Sequence, residues 1–381
     1  MNMSAITIKK VESNKDLKKF IHFSYKLYKG HKYYVPDLYL DLKNTLSDKN
    51  AALEFCERQA FLALRDGEIV GRVVAIINRK ANDAWKRKSV RFGWIDFIDD
   101  KEVSKALLDE VEKWGKERGM EEVIGPLGFT DMDPEGMLYE GFEELGTMST
   151  SYNYPYYMDH MPPLGYEKDN DWIEYRLEVP RATGVPPRLA RVADIVQEKY
   201  GLQIIKYKKA KDIAKNYGRE LFDVLNEGMQ VLYGYSLLSE KQIDQYVKMY
   251  LGVVDPKLVS LIADKDGRLI GTGICMPSLS RALQKCGGKL FPFGWYHLLK
   301  ALKWKHDNHL DMLLIAVRPE WQARGVNALF FKDLLPYFIS EGYDWCETSV
   351  EMEDNMKVQQ QWIYFERRIH KRRRCWIKKI K

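Results

Sequence analysis

Two stretches of the chain, 200 residues apart, carry the same alternation of apolar run, turn and apolar run. Asp66-Gly67-Glu68-Ile69-Val70-Gly71 lies between Phe61-Leu62-Ala63-Leu64 and the run Val70 to Ile77. Asp266-Gly267-Arg268-Leu269-Ile270-Gly271 lies between Leu258 to Ala263 and Leu269 to Cys275. An Asp-Gly pair flanked by β-rich runs is a hairpin signal. Beyond each hairpin comes an apolar strand and then a helical stretch. In the first half these are Trp94 to Ile98 and Val103 to Arg118; in the second, Asp311 to Val317 and Val326 to Ser340. Both helical stretches stop at glycine, Gly119 and Gly342, a common C-terminal signal. Each is followed by a further strand, Glu122 to Ile124 and Trp345 to Val350. Hairpin, strand, helix, strand, repeated once, reads as a duplicated α/β domain.

Residues 181–187, within Pro180-Arg181-Ala182-Thr183-Gly184-Val185-Pro186-Pro187, form a turn-rich linker, with a helix expected from Arg188 to Tyr200. The expected domains are 1–180 and 188–381. Between hairpin and strand the second half has an insertion, Pro277 to Asn308. Within it Trp295, Leu298, Leu299 and Leu302 fall at i, i+3, i+4, i+7, with Lys300 and Lys303 off that stripe, the pattern of an amphipathic helix. That stripe suits core packing, a lid over an acyl chain, or an interfacial helix. The last residues alternate about Cys375 and Ile377, as a half-buried final strand would.

Composition narrows the class. At 381 residues, with 45% hydrophobic and 30% charged, the chain suits two globular domains rather than a disordered one. No run approaches 18 consecutive apolar residues, and the first ten residues lack a signal-peptide core, so a cytosolic protein is expected. The five cysteines form no C-x-x-C pair and five is odd, which fits a reduced compartment. His306 and His309 are the closest histidine pair, and an exposed polar loop explains them as well as a metal does. Asp131 to Gly136 begins like a calcium loop, but position twelve is Phe142. No metal is expected.

Charge is uneven. The last fifteen residues hold nine basic residues and no acid, leaving the remaining 366 with 51 basic against 54 acidic. A basic terminus on an acidic body suits a solvated edge, an anionic ligand or an anionic membrane surface. Nucleic acid is disfavoured, because no recognition motif accompanies the charge.

The segment with most chemistry is Val317-Arg318-Pro319-Glu320-Trp321-Gln322-Ala323-Arg324-Gly325-Val326-Asn327-Ala328-Leu329. A strand ends at a Pro turn and a helix begins near Gly325. Amides and dipole there favour an anion, glycine admits a phosphate to the main chain, and Arg318 and Arg324 would add cationic contacts. The segment resembles the acyl-CoA pyrophosphate loop of the GCN5-related N-acetyltransferase (GNAT) superfamily, V-x-P-x-x-[Q/R]-x-x-G-x-[G/A]-x-x-L. Val317, Pro319, Gln322 and Gly325 match, and Asn327 stands where the last small residue would be.

The resemblance implies two tandem GNAT-like acyl-CoA N-acyltransferase domains. Each is a mixed, mostly antiparallel twisted sheet flanked by helices, with the fourth and fifth strands splayed around the thioester. It implies acyl-CoA or acetyl-CoA on Gln322, Ala323, Arg324, Gly325, Val326 and Asn327, with the carbonyl at the amides of Ile315, Ala316 and Val317. A helix Asn355 to Arg368 would bring Asn355 to the cofactor and Tyr364 to the leaving thiolate. Glu347 and Glu351, four apart on a strand and so on one face, are the candidate bases, Glu347 the better because it lies inside the strand. The first half resembles a degenerate copy. Asp99-Asp100-Lys101-Glu102 replaces the loop with acid, and Asn153-Tyr154-Pro155-Tyr156-Tyr157 with Leu164-Gly165-Tyr166 look like the family's terminal pattern. The expected activity is acyl transfer from CoA to a primary amine in a ternary complex. A more specific version takes a lipid amine at the inner membrane face, as bacterial ceramide synthases with this type of domain do. The alternatives are a CoA- or ligand-binding protein without turnover, and an aminoacyl-tRNA-dependent transferase, against which the phosphate loop speaks.

Overall fold

Both Asp-Gly turns form hairpins, one in each half of the chain. A computed structural model describes residues 4–252 and 254–380. The chain opens with β1 (Thr7–Lys10), α1 (Asn14–Leu27) and α2 (Tyr39–Thr45), then the hairpin β2 (Cys56–Arg65) and β3 (Glu68–Asn78). It continues through α3 (Arg79–Trp85), β4 (Ser89–Phe97), α4 (Lys101–Lys116), β5 (Glu122–Gly125), β6 (Met137–Glu140), α5 (Tyr157–His160) and β7 (Glu167–Glu178). The second half runs α6 (Pro187–Tyr200), β8 (Gln203–Ile205), α7 (Ala210–Met229), α8 (Glu240–Tyr246), and the hairpin β9 (Val259–Ala263) and β10 (Leu269–Pro277). The insertion follows as α9 (Ser280–Cys286) and α10 (Gly294–Lys303). Then come β11 (His309–Val317), α11 (Asn327–Ser340), β12 (Trp345–Thr348), β13 (Glu351–Met352), α12 (Met356–Gln359) and β14 (Arg367–Lys379).

The chain divides into two units. Residues 4–172, 280–298 and 371–380 make the first; residues 173–279 and 299–370 make the second. The expected linker at 181–187 lies wholly inside the second unit. Part of the insertion and the end of the chain, expected with the second domain, pack with the first. Hydrogen bonds hold the insertion there: the Gln284 amide donates to the carbonyls of Lys32 and Tyr34, both at 2.9 Å, and the Tyr39 N–H donates to Gly288 O at 2.8 Å. The chain end pairs antiparallel with β5, Trp376 opposite Gly125.

In the first unit the strands run β1-β2-β3-β4-β5, antiparallel except for β4 and β5, which are parallel from Ser89 opposite Glu122 to Arg91 opposite Ile124. α4 lies on this sheet with Val103, Leu107, Leu108 and Val111 buried among Val73, Phe92 and Phe97. The second unit repeats the arrangement. Its strands run β8-β9-β10-β11-β12 and on to the end of β7, antiparallel except β11 and β12. α11 has the role of α4: Phe330, Phe331, Leu334, Leu335 and Phe338 are buried against β9, β10 and β11. Each large apolar side chain removed from water is worth roughly 2–3 kcal/mol. Gly271 shows how close the layers are, since a Cβ there would meet the Phe330 ring at 2.9 Å. All five cysteines are free thiols. Among the described residues no helix is long and apolar enough to cross a membrane.

At least four of the nine basic residues at the chain end have acidic partners. Arg374 is forked on Asp171 at 2.8 and 2.9 Å, Lys378 pairs with Glu112 at 2.7 Å, Lys379 with Glu122, and Arg372 with Glu140 at 3.1 Å. The chain end is a strand in a sheet, with Lys371 and Arg373 buried and Arg367 and Arg368 exposed.

Candidate acyl-CoA site

The site grows from the place where β11 and β12 part. Their parallel ladder runs from His309 opposite Trp345 to Met312 opposite Thr348, and the Ser349 N–H to Met312 O bond at 3.1 Å is its last link. From Leu313 onward β11 pairs only with β10. The parting coincides with a bulge: Ile274 faces Leu314 and Cys275 faces Met312, leaving Leu313 unpaired. A bulge bends a strand and increases its twist, which is how an edge is turned away from a neighbour.

Which amides face the gap follows from the register. Arg318 N–H donates to Ile270 O at 2.9 Å, so that position is a hydrogen-bonded pair. Pairs alternate along an antiparallel ladder, which makes Ala316–Thr272 hydrogen-bonded and turns the amides of Ile315 and Val317 away from β10, to the side β12 has left. Ala316 therefore spends its amide on the ladder, while Ile315 and Val317 keep theirs for the gap.

The loop beyond β11 is shaped by two left-handed residues, Ala323 at φ +58° and Gly325 at +81°. Gly325 needs its lack of side chain twice, for that φ and because a Cβ would lie 3.0 Å from Val196 of α6. Gln322 folds back, its amide donating to Val317 O at 3.0 Å. α11 then starts at Asn327 with no side-chain cap. Among the described residues, no hydrogen bond uses the N–H groups of Ala323, Arg324, Gly325, Val326 or Asn327. A row of free amides at a helix N-terminus is an anion cradle, so the loop fits a pyrophosphate. The Asn327 side chain is held by Gln361, Nδ2 to Oε1 at 3.1 Å.

The two arginines part company. Arg324 lies over the rings of Trp321 and Tyr200 at 5.3 and 5.7 Å. Arg318, expected to contact phosphate, is buried; its Nε donates to Leu269 O at 2.7 Å and its guanidinium is paired with Glu227 and, at 3.6 Å, Glu220. Its charge is already met.

Strand parity does not carry from one candidate base to the other. β12 ends at Thr348, so strand parity does not reach Glu351. Glu347 is buried inside the ladder between Asp311 and Arg176, with Oε1 3.3 Å from His370 Nε2. Glu351 lies past the parting point. Trp362 Nε1 donates to both its oxygens, at 2.9 and 3.1 Å, and Thr348 adds a hydrogen bond. Burial dominates all the same and pushes the Glu351 carboxyl up to about 7. Thr348 Oγ1 in turn accepts from the Tyr175 N–H at 3.0 Å, which orients its hydroxyl toward Glu351.

The expected helix from Asn355 to Arg368 is not formed. α12 is one turn, followed by a 3-10 turn Gln360–Tyr364, and β14 begins at Arg367. Asn355 caps that turn, accepting from Val358 N–H at 3.4 Å. Tyr364 closes the second turn, half-buried, with Arg188 5.9 Å over its ring. Sequence reasoning missed Trp362, Thr348 and Tyr175, whose role is to set the state of Glu351. Among the described residues no group of three or more His, Cys, Asp or Glu side chains is placed to hold a metal.

The first unit has the same frame with the site closed. Ile98 N–H donates to Val70 O at 3.1 Å, as Arg318 does to Ile270, so Phe97 is the counterpart of Val317. Its amide is taken by the Tyr157 hydroxyl at 3.0 Å, and the Tyr156 hydroxyl donates to its carbonyl at 2.5 Å. The start of α4 is capped by Asp100, which accepts from Glu102 N–H at 2.9 Å. The Phe97 amide and the helix start are therefore taken by protein groups, although a cavity lined by Tyr28, Asp37, Arg72, Trp94, Asp96 and Tyr157 lies beside the end of β4.

No family model matches the chain. It is 28% identical over 354 residues to the bacterial ceramide synthase of Caulobacter vibrioides, covering 91% of this chain and 90% of that one. It is 29% identical over 307 residues to protein YghO of Escherichia coli, covering 81% and 77%. Among solved structures, a tandem GNAT protein from the clavulanic acid biosynthesis pathway superposes with a TM-score of 0.57 at 12% identity, over 99% of both chains. With the duplicated sheet, the parted strands and the uncapped loop, this likeness establishes that the chain is a tandem protein of the GCN5-related N-acetyltransferase fold.

Proposed function

We propose that the chain is an acyl-CoA-dependent N-acyltransferase whose second unit carries the reaction. The observation that carries this reading is the open gap between β11 and β12 beside five unpaired amides at the start of α11. The amides of residues 323–327 would hold the pyrophosphate of acyl-CoA, with Arg324 as the cation beside them. The amides of Ile315 and Val317 would meet the negative charge that develops on the carbonyl oxygen. Asn327, held by Gln361 at the start of α11, and Asn355, which caps α12, would border the loop.

Transfer forms a nitrogen–carbon bond, breaks the carbon–sulfur bond, and needs one proton taken from the amine and one given to the leaving sulfur. An amine near pKa 10 is protonated at neutral pH, so a base is useful. We assign that role to Glu351 ahead of Glu347. Glu351 lies past the parting point and titrates near neutrality, the range in which a general base is effective, whereas Glu347 is enclosed in the ladder beside His370. Tyr364 is the donor to sulfur.

For the acceptor we infer a long-chain amine. The support is the ceramide synthase relative, which aligns over nine-tenths of both chains. The test is thermal unfolding of the purified protein with CoA, acetyl-CoA and palmitoyl-CoA, followed by turnover with short and long-chain amines. A ligand at a hundred times its dissociation constant stabilises by about 2.7 kcal/mol. Stabilisation by acyl-CoA with turnover on long-chain amines is expected. Stabilisation without turnover on any amine leaves a binding protein, and turnover with acetyl-CoA alone removes the lipid version.

A further inference from the structure

From Arg281 to Lys305 the chain carries six basic residues and no acid. The same stretch holds the most exposed large aromatic side chains of the first unit. Phe291 is 74% exposed and Phe293 72%, with Trp295 and Tyr296 also in solvent. Isolated exposed apolar residues need no explanation, but a cluster of large rings does.

The rings are presented by a built loop. Gln284 and Gly288 anchor it to the first unit, as described above. Trp295 N–H donates to Leu290 O at 2.8 Å, its Nε1 to Pro292 O at 3.1 Å, and Tyr296 N–H to Phe293 O at 3.1 Å. Backbone and indole bonds are satisfied inside the loop, and the rings are left outside it. Lys285 and Lys289 are exposed on the same segment.

We propose that residues 285–296 dock the protein on an anionic lipid bilayer. Phe291 and Phe293 would enter the acyl boundary, Trp295 and Tyr296 would lie at headgroup depth, and Lys285 and Lys289 would meet lipid phosphates. Trp and Tyr favour that interface because their rings are apolar with one polar edge. Charge complementarity selects the occupant: lysines without an acid among them match an anionic surface, each worth a gain that salt screens. At the basic chain end, by contrast, Arg372, Arg374, Lys378 and Lys379 are already paired with acids within the sheet. The docking does not depend on the acyltransferase reading.

The experiment uses the full chain with vesicles of phosphatidylcholine, with and without a third of phosphatidylglycerol. Cosedimentation should favour the anionic vesicles and weaken between about 50 and 500 mM salt, with a blue shift of tryptophan emission. Phe291→Ser with Phe293→Ser should reduce binding at least about tenfold on both vesicle types. Lys285→Glu with Lys289→Glu should remove the anionic preference. All four positions are exposed, so melting temperatures and stabilisation by CoA should be unchanged. Equal cosedimentation of wild type and the Phe pair overturns the proposal, as does no binding by the wild type. A wild-type dimer that the Phe pair converts to monomer also overturns it and makes the surface a self-association face.

Discussion

Replacing Glu351 by Gln tests the assignment of the base and its cause together. The carboxyl is buried against Trp362 and Thr348, and desolvation raises it from 4.5 to about 7. A tenfold change in proton affinity is worth about 1.36 kcal/mol, so the rise corresponds to about 3 kcal/mol of stability linked to this one proton. The sign follows from the direction. The folded protein holds the proton more tightly than the unfolded chain, so the contribution is complete below pH 4.5 and is lost as pH rises through 7. Gln keeps the shape, accepts from Trp362 Nε1, and cannot ionise. The unfolding free energy of wild type relative to Glu351→Gln should therefore fall by about 2–3 kcal/mol between about pH 5 and 8.5. Urea denaturation read by tryptophan emission across that range measures it, and Trp362 places a reporter against the carboxyl. In turnover, the wild-type rate should rise with pH through an inflection near 7 and the variant should lack that limb. A pH-independent difference in stability between the two proteins would refute the desolvation argument. An unchanged rate profile in the variant would return the role to Glu347.

Gly325→Ala should destabilise by about 1–2 kcal/mol, since Ala resists a φ of +81° and meets Val196. Gly325→Glu should abolish stabilisation by CoA. Arg318→Met should lower stability by about 2 kcal/mol, because it strands Glu227 and Glu220, which are themselves part-exposed. Arg324→Ala should leave stability unchanged and weaken CoA about tenfold, so equilibrium unfolding and CoA titration separate the two arginines. Tyr364→Phe should lower kcat with little effect on KM if the hydroxyl serves the leaving sulfur; equal kinetics would leave Tyr364 a packing residue.

Local signals read well. Two Asp-Gly turns, the apolar strands beside them and the glycines that end α4 and α11 placed both hairpins and those two helices within a few residues, while α1 and the longest helix, α7, were not foreseen. What failed depended on partners distant in sequence. Arg318 looked free because Glu220 and Glu227 lie about a hundred residues upstream on α7. The partners of four basic residues at the chain end were invisible for the same reason: Glu112, Glu122, Glu140 and Asp171 lie in the first half. Parity put Glu347 and Glu351 on one face, but parity holds only while the strand continues, and β12 stops at Thr348. The Asn355 helix failed because its stretch lacked the apolar period that the α11 stretch has, and three aromatics in four residues, Trp362, Tyr364 and Phe365, were drawn into the core instead.

The two copies make opposite use of one frame, and a stoichiometry follows. At Val317 an amide faces the gap; at its counterpart Phe97 the same amide already holds the Tyr157 hydroxyl. Tyr157 is fully buried and also hydrogen-bonded to Tyr28 at 3.0 Å. Opening that position would strand several buried hydroxyls, each costing about 1–3 kcal/mol when left unmade. At the start of α11 the amides are free, while at the start of α4 Asp100 caps them and, with Glu102, brings negative charge to the place a phosphate would need. Arg65 is itself engaged by those two acids. Acyl-CoA should therefore bind once per chain. Calorimetric titration of the full chain should give one site, and Gly325→Glu should leave none. Two sites in the wild type, or one surviving in the variant, would show that the tyrosine plug opens and that the closed frame of the first copy is a state rather than a loss.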